Sequence, residues 1–483
     1  MRFALLAPAL CPLLAAVVPR AMAADLEQRI EIAAGAAPGK ASVGIHVVEL
    51  ATGKTIYRRN EDRLFLPASN MKLFTSALAL LRLGPDRRFT TQVLLDEAGN
   101  LVLVGSGDPS LSGRVFPYRK NAPMGPGLAP IEDLADQIVA SGVRRISGDV
   151  AGDDRLYPWE PYAPSWTQDD ALRDYGAPVS ALSVNENALS VTLRPGESVG
   201  APAGISLDPP LEYYAIDSRV ATVARGAEAK IRLARQPGSR QLLLWGSIPL
   251  GHAPIVETVA IDDPALYAAC ALYDALVRRG VAVAGGAVAW HRSASEDYLA
   301  PRGRIVASRS SPPVIELLGV MDKVSQNLFA ELMLREVGRI ARRSGTREAG
   351  LEEMEAMLGE IGAAPGDGRL EDGSGLSRNA LVTPRLVTRL LAYLNQGPYR
   401  GPWLSLLPVA GEEGTLEHRL CCLAEPGSIR AKTGSLSRAL ALSGYAENRS
   451  RGRLAFSILV NDFSAPSSEV RAWIDKIAAA LLE

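Results

Sequence analysis

The stretch FLPASNMKLFTSALALL, residues 65–81, decides how the rest of this chain is interpreted. Its apolar side chains recur three and four residues apart, which is the spacing of one face of a helix. The pattern predicts a helix from Ser69 to about Leu83, where Gly84 stops it. A serine in the first turn of a helix has its hydroxyl near the positive end of the helix dipole.

Lys72 follows Ser69 by three residues and therefore lies on the same face of the predicted helix. A serine hydroxyl becomes a good nucleophile only when a base takes its proton. An amine can be that base only if burial or a second cation lowers its pKa. The pair therefore predicts a nucleophile, Ser69, and its base, Lys72. The alternative is a helix-capping serine followed by a solvated lysine.

A second motif, Ser325-Gln326-Asn327, falls between two segments with helical spacing. The Ser325 hydroxyl can relay a proton, and the Asn327 amide can hold both a substrate carbonyl and the catalytic lysine. The alternative is a serine that only caps the following helix.

The third motif, Lys432-Thr433-Gly434, lies inside a predicted strand over residues 429–435. Lys432 brings a second positive charge, and the Thr433 hydroxyl can bind a carboxylate. Gly434 would let a substrate lie close against the strand edge. The backbone N–H groups of Ser435 and Ser69 are predicted to form an oxyanion hole. The alternative is an ordinary edge strand with a solvated lysine.

Composition excludes several classes of function. The 483 residues carry a formal net charge of −1, so no basic excess is present to bind nucleic acid. The four histidines are scattered, and no Cys/His spacing typical of a zinc site occurs. We therefore predict no metal, no cofactor and no nucleic-acid partner.

The N-terminus is typical of an export signal. Arg2 precedes an apolar run over residues 3–18, and Ala21-Met22-Ala23 fits the small-x-small rule for cleavage. We predict a signal peptide at residues 1–23 and a periplasmic mature protein. No later apolar run is long enough to predict a transmembrane segment.

Both ends of the mature chain show helical and strand patterns together, and the part between them consists mostly of short strand-like runs. We predict a discontinuous catalytic domain of residues 24–88 and 290–483, with residues 89–289 inserted as one or two extra domains. An N-terminal hairpin would join the C-terminal strands in one antiparallel sheet flanked by helices. The predicted fold class is α/β (α+β).

The three motifs in this order are the kind that penicillin-binding proteins and serine β-lactamases carry. The sequence resembles the class C low-molecular-mass penicillin-binding proteins, the serine-type D-alanyl-D-alanine carboxypeptidase/endopeptidase family. The resemblance covers nearly the whole mature chain and includes the long insertion between the first two motifs. Further stretches that match the family are residues 104–111, 148–150, 177–187 and 372–378, and Thr383-Pro384.

This resemblance implies roles for the motif residues. Ser69 would be acylated by peptidoglycan stem peptides, and by β-lactam antibiotics as inhibitors, with Lys72 as base. Ser325 would pass the proton to the leaving amine, and Asn327 would position the substrate. Lys432, with Thr433 beside it, would hold the terminal carboxylate.

In this family a residue of the insertion helps to bind the side chain of the substrate. The stretch 166–170, with Tyr175, resembles that region. Asp170 would pair there with the free ammonium of diaminopimelate. The alternative is a solvated acidic turn.

Two other functions fit parts of the pattern. A class C β-lactamase has Tyr-x-Asn as its second motif, and Tyr393-Leu394-Asn395 matches it, although an amphipathic helix explains the same residues. A non-catalytic peptidoglycan-binding protein on the same fold is the other alternative.

Overall fold

The computed structural model describes residues 25–421 and 427–483, so the predicted signal peptide lies outside the described residues. The helices are α1 Leu26–Ala34, α2 Met71–Arg82, α3 Ala129–Ala140, α4 Pro264–Arg278, α5 Val314–Lys323, α6 Asn327–Arg342, α7 Arg347–Glu360, α8 Pro384–Gln396, α9 Arg400–Leu406 and α10 Ser467–Ala480.

The strands alternate with these helices along the chain. They are β1 Ser42–Glu49, β2 Thr55–Arg59, β3 Thr90–Leu95, β4 Leu101–Val104, β5 Arg145–Ile146, β6 Val150–Asp153, β7 Ala188–Arg194, β8 Gly204–Asp208, β9 Ala215–Val223, β10 Lys230–Ala234, β11 Gln241–Pro249, β12 Ile255–Ala260, β13 Ala282–Val283, β14 Ala287–Trp290, β15 Arg304–Ser310, β16 Gly368–Arg369, β17 Leu381–Val382, β18 Ile429–Leu436, β19 Ala439–Asn448 and β20 Gly452–Asn461.

Strands from both ends of the chain form one five-stranded sheet in the order β18-β19-β20-β1-β2. All of its neighbours are antiparallel, and β1 pairs with β20 from Ser42–Asn461 to Glu49–Leu454. The prediction that the N-terminal hairpin joins the C-terminal strands is confirmed. The strand that carries the third motif, β18, lies at the edge of this sheet.

Helices cover both faces of the sheet, which explains why β1 is buried along most of its length. On one face α1 and α10 pack against the strands, with Ile30, Ile474 and Phe456 in one fully apolar cluster. The helices α2, α5, α6 and α8 form a second cluster on the opposite face. The apolar stripe of the final helix packs on the strands, as predicted.

The middle of the chain has its own apolar core, which contains residues from Val93 to Ala307. A five-stranded sheet in the order β14-β6-β4-β3-β15 and two three-stranded sheets surround it. Strand β15 pairs antiparallel with β3, so the sheet of the insertion extends to Ser310, beyond the predicted boundary at residue 289.

Two helical predictions need correction. Ser69 does not begin the α-helix: it lies in a 3-10 turn, Ala68–Asn70, and α2 begins at Met71. Ala68 has a left-handed φ of 47°, so regular helix cannot include it, and Ser69 and Asn70 form a 3-10 turn that runs directly into α2. Helix α9 was not predicted, because Gly401 and Pro402 interrupt the helical spacing of its apolar residues. Trp403 anchors it through a 2.8 Å hydrogen bond to the Tyr445 hydroxyl.

Across residues 25–421 and 427–483, every helix is too short or too polar to cross a bilayer.

Candidate active site

The turn that carries Ser69 is clamped between the edge strand and a glycine-rich loop. A Cβ on Gly434 would lie 2.7 Å from the Pro67 carbonyl oxygen, and a Cβ on Gly375 would lie 1.9 Å from the Ala68 carbonyl oxygen. Only glycine permits such close approach at both places. Gly434 was expected to make room for substrate, but the space of its missing side chain is filled by the nucleophile turn. Its role in binding substrate through the backbone remains a prediction.

The buried ammonium of Lys72 lies at the centre of the site. Its Nζ donates to Ser69 Oγ at 3.1 Å, to Asn327 Oδ1 at 2.6 Å and to the Ser374 carbonyl oxygen at 2.8 Å. Burial, and then the positive charge of Lys432, lower the pKa of Lys72 to about 7. The amine can therefore lose its proton near neutral pH while it touches the serine hydroxyl.

Lys432 forms a second centre beside the first. Its Nζ donates to Ser325 Oγ at 2.9 Å and to the Thr433 carbonyl oxygen at 3.0 Å. Burial lowers the pKa of Lys432, and the charge of Asp322 opposes that shift. Ser325 has a φ of 63°, so the short connection between α5 and α6 is left-handed at that residue.

Asp322 is a fully buried carboxylate whose charge acts on both lysines, and the sequence analysis missed it. Ser76 Oγ donates to its Oδ2 at 2.6 Å, and its Oδ1 is buried without a hydrogen-bond partner. Burial raises the pKa of Asp322 above its ordinary value, and the positive charges of Lys432 and Lys72 limit that rise. A buried cation needs a compensating charge, and Asp322 supplies one to the pair. The sequence could have indicated Asp322 as an acidic residue within the mostly apolar pattern of α5.

The loop of residues 372–378 orients the carbonyl group that Lys72 binds. Glu331, one turn after Asn327 in α6, accepts hydrogen bonds from the N–H groups of Gly373 at 3.1 Å and Ser374 at 2.8 Å. Asp372 accepts from within the loop itself, at the N–H of Ser377. The sequence analysis marked this loop as a family feature, but it did not predict the contact between Ser374 and Lys72.

The free edge of β18 faces the site. Ala431 N–H, on the outer side of the strand, donates to the Pro408 carbonyl oxygen at 3.0 Å. Because N–H groups of alternate residues point to the same side, those of Thr433 and Ser435 also point outward. Thr433 Oγ1 donates to Thr415 Oγ1 at 2.8 Å. The strand therefore presents a hydroxyl and two backbone donors to a ligand in the cleft.

The insertion contributes to the site from the opposite side. Asn327 Nδ2 donates to the Tyr175 carbonyl oxygen at 2.7 Å. Asp170 Oδ2 forms a 2.8 Å ion pair with Arg378 Nη1 and accepts two hydrogen bonds from Thr167. The side chain of Asp170 is 4% exposed, whereas that of Arg378 is 41% exposed. The Asp170 carboxylate is therefore buried and paired, and is not part of a solvated acidic turn.

The structure thus brings Ser69, Lys72 and Asn327 into one hydrogen-bonded group and Ser325 and Lys432 into another beside it. The β-lactamase alternative placed its second motif elsewhere, at residues 393–395. These residues lie in α8, where Asn395 Oδ1 accepts from Arg453 at 3.1 Å, outside this group.

Comparison with known proteins identifies the family. The family model described as "D-Ala-D-Ala carboxypeptidase 3 (S13) family" matches residues 25–481. The chain belongs to this family. A D-alanyl-D-alanine carboxypeptidase of an Actinomadura species is 34% identical over 462 residues, which cover 91% of this chain and 81% of that protein.

Two solved structures have the same fold as this member of the carboxypeptidase family. The structure of penicillin binding protein 4 (dacB) from Haemophilus influenzae superimposes with a TM-score of 0.79 at 22% identity, covering 95% of this chain and 97% of that one. A second structure of that protein, complexed with a novel β-lactam, gives a TM-score of 0.74 at the same identity and coverage. The fold of this carboxypeptidase-family member is therefore that of the penicillin-binding proteins.

Proposed function

We propose that the protein is a serine-type D-alanyl-D-alanine carboxypeptidase that acts on peptidoglycan stem peptides. The observation that carries the proposal is the buried Lys72 ammonium, which contacts Ser69 Oγ and Asn327 Oδ1 together and has a pKa lowered to about 7. This arrangement supplies a nucleophile with its own base at neutral pH.

In the proposed acylation, Ser69 Oγ attacks the carbonyl carbon of the penultimate D-Ala while the neutral amine of Lys72 takes the hydroxyl proton. The developing oxyanion is bound by the N–H groups of Ser69 and Ser435. The latter lies on the open edge of β18, next to the clamped serine turn.

In the same proposal the terminal D-Ala is held by its carboxylate. The Thr433 hydroxyl binds it, and the Lys432 ammonium supplies the charge that favours an anion there. Ser325, which accepts a hydrogen bond from Lys432 Nζ, passes a proton to the leaving amine. Water then hydrolyses the ester on Ser69, and a penicillin in the same position would leave a long-lived ester.

We propose that Asp170 and Arg378 together bind the third residue of the stem. The side chain of diaminopimelate ends in an ammonium and a carboxylate on one carbon, so it matches an adjacent carboxylate and guanidinium. The Asp170–Arg378 pair lies beside Tyr175, whose carbonyl oxygen accepts a hydrogen bond from Asn327. The pair is therefore close to the catalytic groups, on the side where the acyl donor would enter.

The variant Asp170→Asn tests this subsite. It retains an acceptor for Thr167 but removes the negative charge that would bind the ammonium. We expect kcat/KM for peptides with diaminopimelate to fall about 10- to 100-fold. The exposed neighbour offers a matched control, Asp169→Asn, which should retain wild-type values.

Both variants would also be assayed with a peptide that has an uncharged third side chain and with penicillin. An equal loss on every substrate would mean that Asp170 only maintains the structure of the loop.

We further propose that the protein is exported to the periplasm by residues 1–23, and that it also cleaves D-alanyl-diaminopimelate cross-links. Digestion of purified sacculi followed by mass analysis of the products tests the activity. We expect muropeptides that have lost one D-Ala, and loss of cross-linked dimers shows the endopeptidase reaction. Products unchanged from an enzyme-free digest would contradict the proposed function.

A further inference from the structure

A cavity of 490 Å³ opens in the insertion beside the segment of residues 166–168. Three aromatic residues line it: Trp159, Tyr162 and Trp166. The rings of Tyr162 and Trp166 lie 6.4 Å apart with a tilt of 57°, and Trp159 is fixed against His291 with the ring centroids 4.3 Å apart. The volume falls in the range of small-molecule sites. We call this cavity the aromatic pocket.

The aromatic pocket has one positively and one negatively charged side chain in its wall. Arg235 and Asp262 both line it. Each is held in place, since Arg235 Nη2 donates to the Ala171 carbonyl oxygen at 3.2 Å and Asp262 accepts from the Tyr214 hydroxyl at 2.8 Å. Gln168 adds an exposed amide. Both charged side chains are already hydrogen-bonded within the fold, so the apolar aromatic walls, together with the Gln168 amide and these two polar groups, suit an uncharged ring that bears hydroxyl groups.

The position of the pocket ties it to the catalytic site. Thr167 lines it and donates to Asp170 Oδ2 from its backbone N–H at 2.8 Å and from its hydroxyl at 2.7 Å. Trp166 Nε1 donates to Asp372 Oδ2 at 3.0 Å, in the loop whose Ser374 carbonyl oxygen accepts from Lys72. The pocket therefore begins one side chain beyond the subsite proposed for the third residue of the stem.

We propose that the aromatic pocket binds an N-acetylated amino sugar of the glycan strand that carries the donor stem, an inference that rests on the proposed function. From its third residue, a stem peptide continues for two residues before it reaches the sugar, a span of about 10 Å when extended with its linking group. The pyranose C–H faces would pack on the aromatic rings, and the hydroxyl and acetamido groups would bond to Gln168, Arg235 and Asp262.

The kinetic test compares a disaccharide-linked pentapeptide with the same pentapeptide without sugar. We expect the mature wild-type protein to have a kcat/KM about five- to tenfold higher for the sugar-linked substrate, from the aromatic contacts. Tyr162→Ala should reduce this ratio towards one and leave kcat/KM for the sugar-free peptide unchanged. Tyr162 is 36% exposed, so a similarly exposed tyrosine on α8 provides the matched control, Tyr393→Ala.

A binding measurement separates this proposal from the proposed function. Glycan strands freed of their peptides are titrated into the wild-type protein and Tyr162→Ala, and binding is followed by calorimetry, which requires no catalysis. Binding to the wild type that weakens in Tyr162→Ala supports the pocket even if the protein releases no D-Ala. A ratio of one in an active wild-type protein, or equal glycan binding by both proteins, would overturn the proposal.

Discussion

Replacing Ser69 with alanine is expected to abolish covalent labelling by penicillin and to lower the rate of D-Ala release by about 10⁴-fold or more. The change removes Ser69 Oγ, the oxygen that would form the ester and that lies 3.1 Å from Lys72 Nζ. It leaves the packing of the turn intact, because the clamp of Gly434 and Gly375 acts on the backbone of Pro67 and Ala68. Incubation with labelled penicillin, followed by peptide mapping and mass spectrometry, provides the measurement.

The matched control is Ser437→Ala, which changes an exposed serine just after β18 and should be labelled like the wild type. Thermal unfolding of Ser69→Ala should resemble that of the wild type. If the label survives in Ser69→Ala, or maps to a peptide without residue 69, Ser69 is not the nucleophile.

The substitution Lys72→Met is expected to slow acylation by roughly 10³-fold, which is within the range for loss of a general base. Methionine is a straight side chain of similar length, so it fills the same buried space without the amine. The mutation leaves Asn327 Oδ1 and the Ser374 carbonyl oxygen without their donor. The second-order rate of penicillin acylation, followed by stopped-flow or quenched mass spectrometry, measures the loss.

The pH dependence distinguishes a base from a merely structural lysine. Because the pKa of Lys72 is lowered to about 7, the neutral amine becomes more abundant as the pH rises through that value. Wild-type acylation should rise about tenfold per pH unit below 7, level off above it, and fall at alkaline pH once Lys432 loses its proton.

In Lys72→Met the rising limb near pH 7 should disappear. Lys230→Met, on an exposed lysine of the insertion, should retain the full profile. An unchanged rising limb in Lys72→Met would assign the proton transfer to another group.

Much of the fold could be predicted, because periodicity is a local property. The alternation of Val43, Ile45 and Val47 gives β1, and the apolar stripe of residues 470–481 gives α10. Boundaries were less accurate where backbone conformation depends on distant contacts. Ala68 is left-handed and a 3-10 turn precedes α2 at Met71, and nothing in residues 65–81 alone shows this.

The residues of the candidate site also divide into those that the sequence predicts and those that it does not. Ser69, Lys72, Ser325, Asn327 and Lys432 were predictable, because each motif has a functional spacing within one local segment. Their partners were not. Asp322 shares α5 with Glu316, and Glu331 shares α6 with Glu336, so their importance appears only when the helices pack beneath the lysines.

The sequence by itself determined the order of the motifs along the chain, and it predicted Ser69 as nucleophile and Lys72 as base, since that pair depends on neighbours three residues apart. Only the tertiary structure decided the state of Lys72, because its lowered pKa depends on burial and on Lys432, which lies 360 residues away along the chain. The structure also decided that the helix meant to begin at Ser69 begins at Met71. Ser69 lies in the 3-10 turn that leads directly into α2, and Gly434 of the strand and Gly375 of the loop pack against that turn.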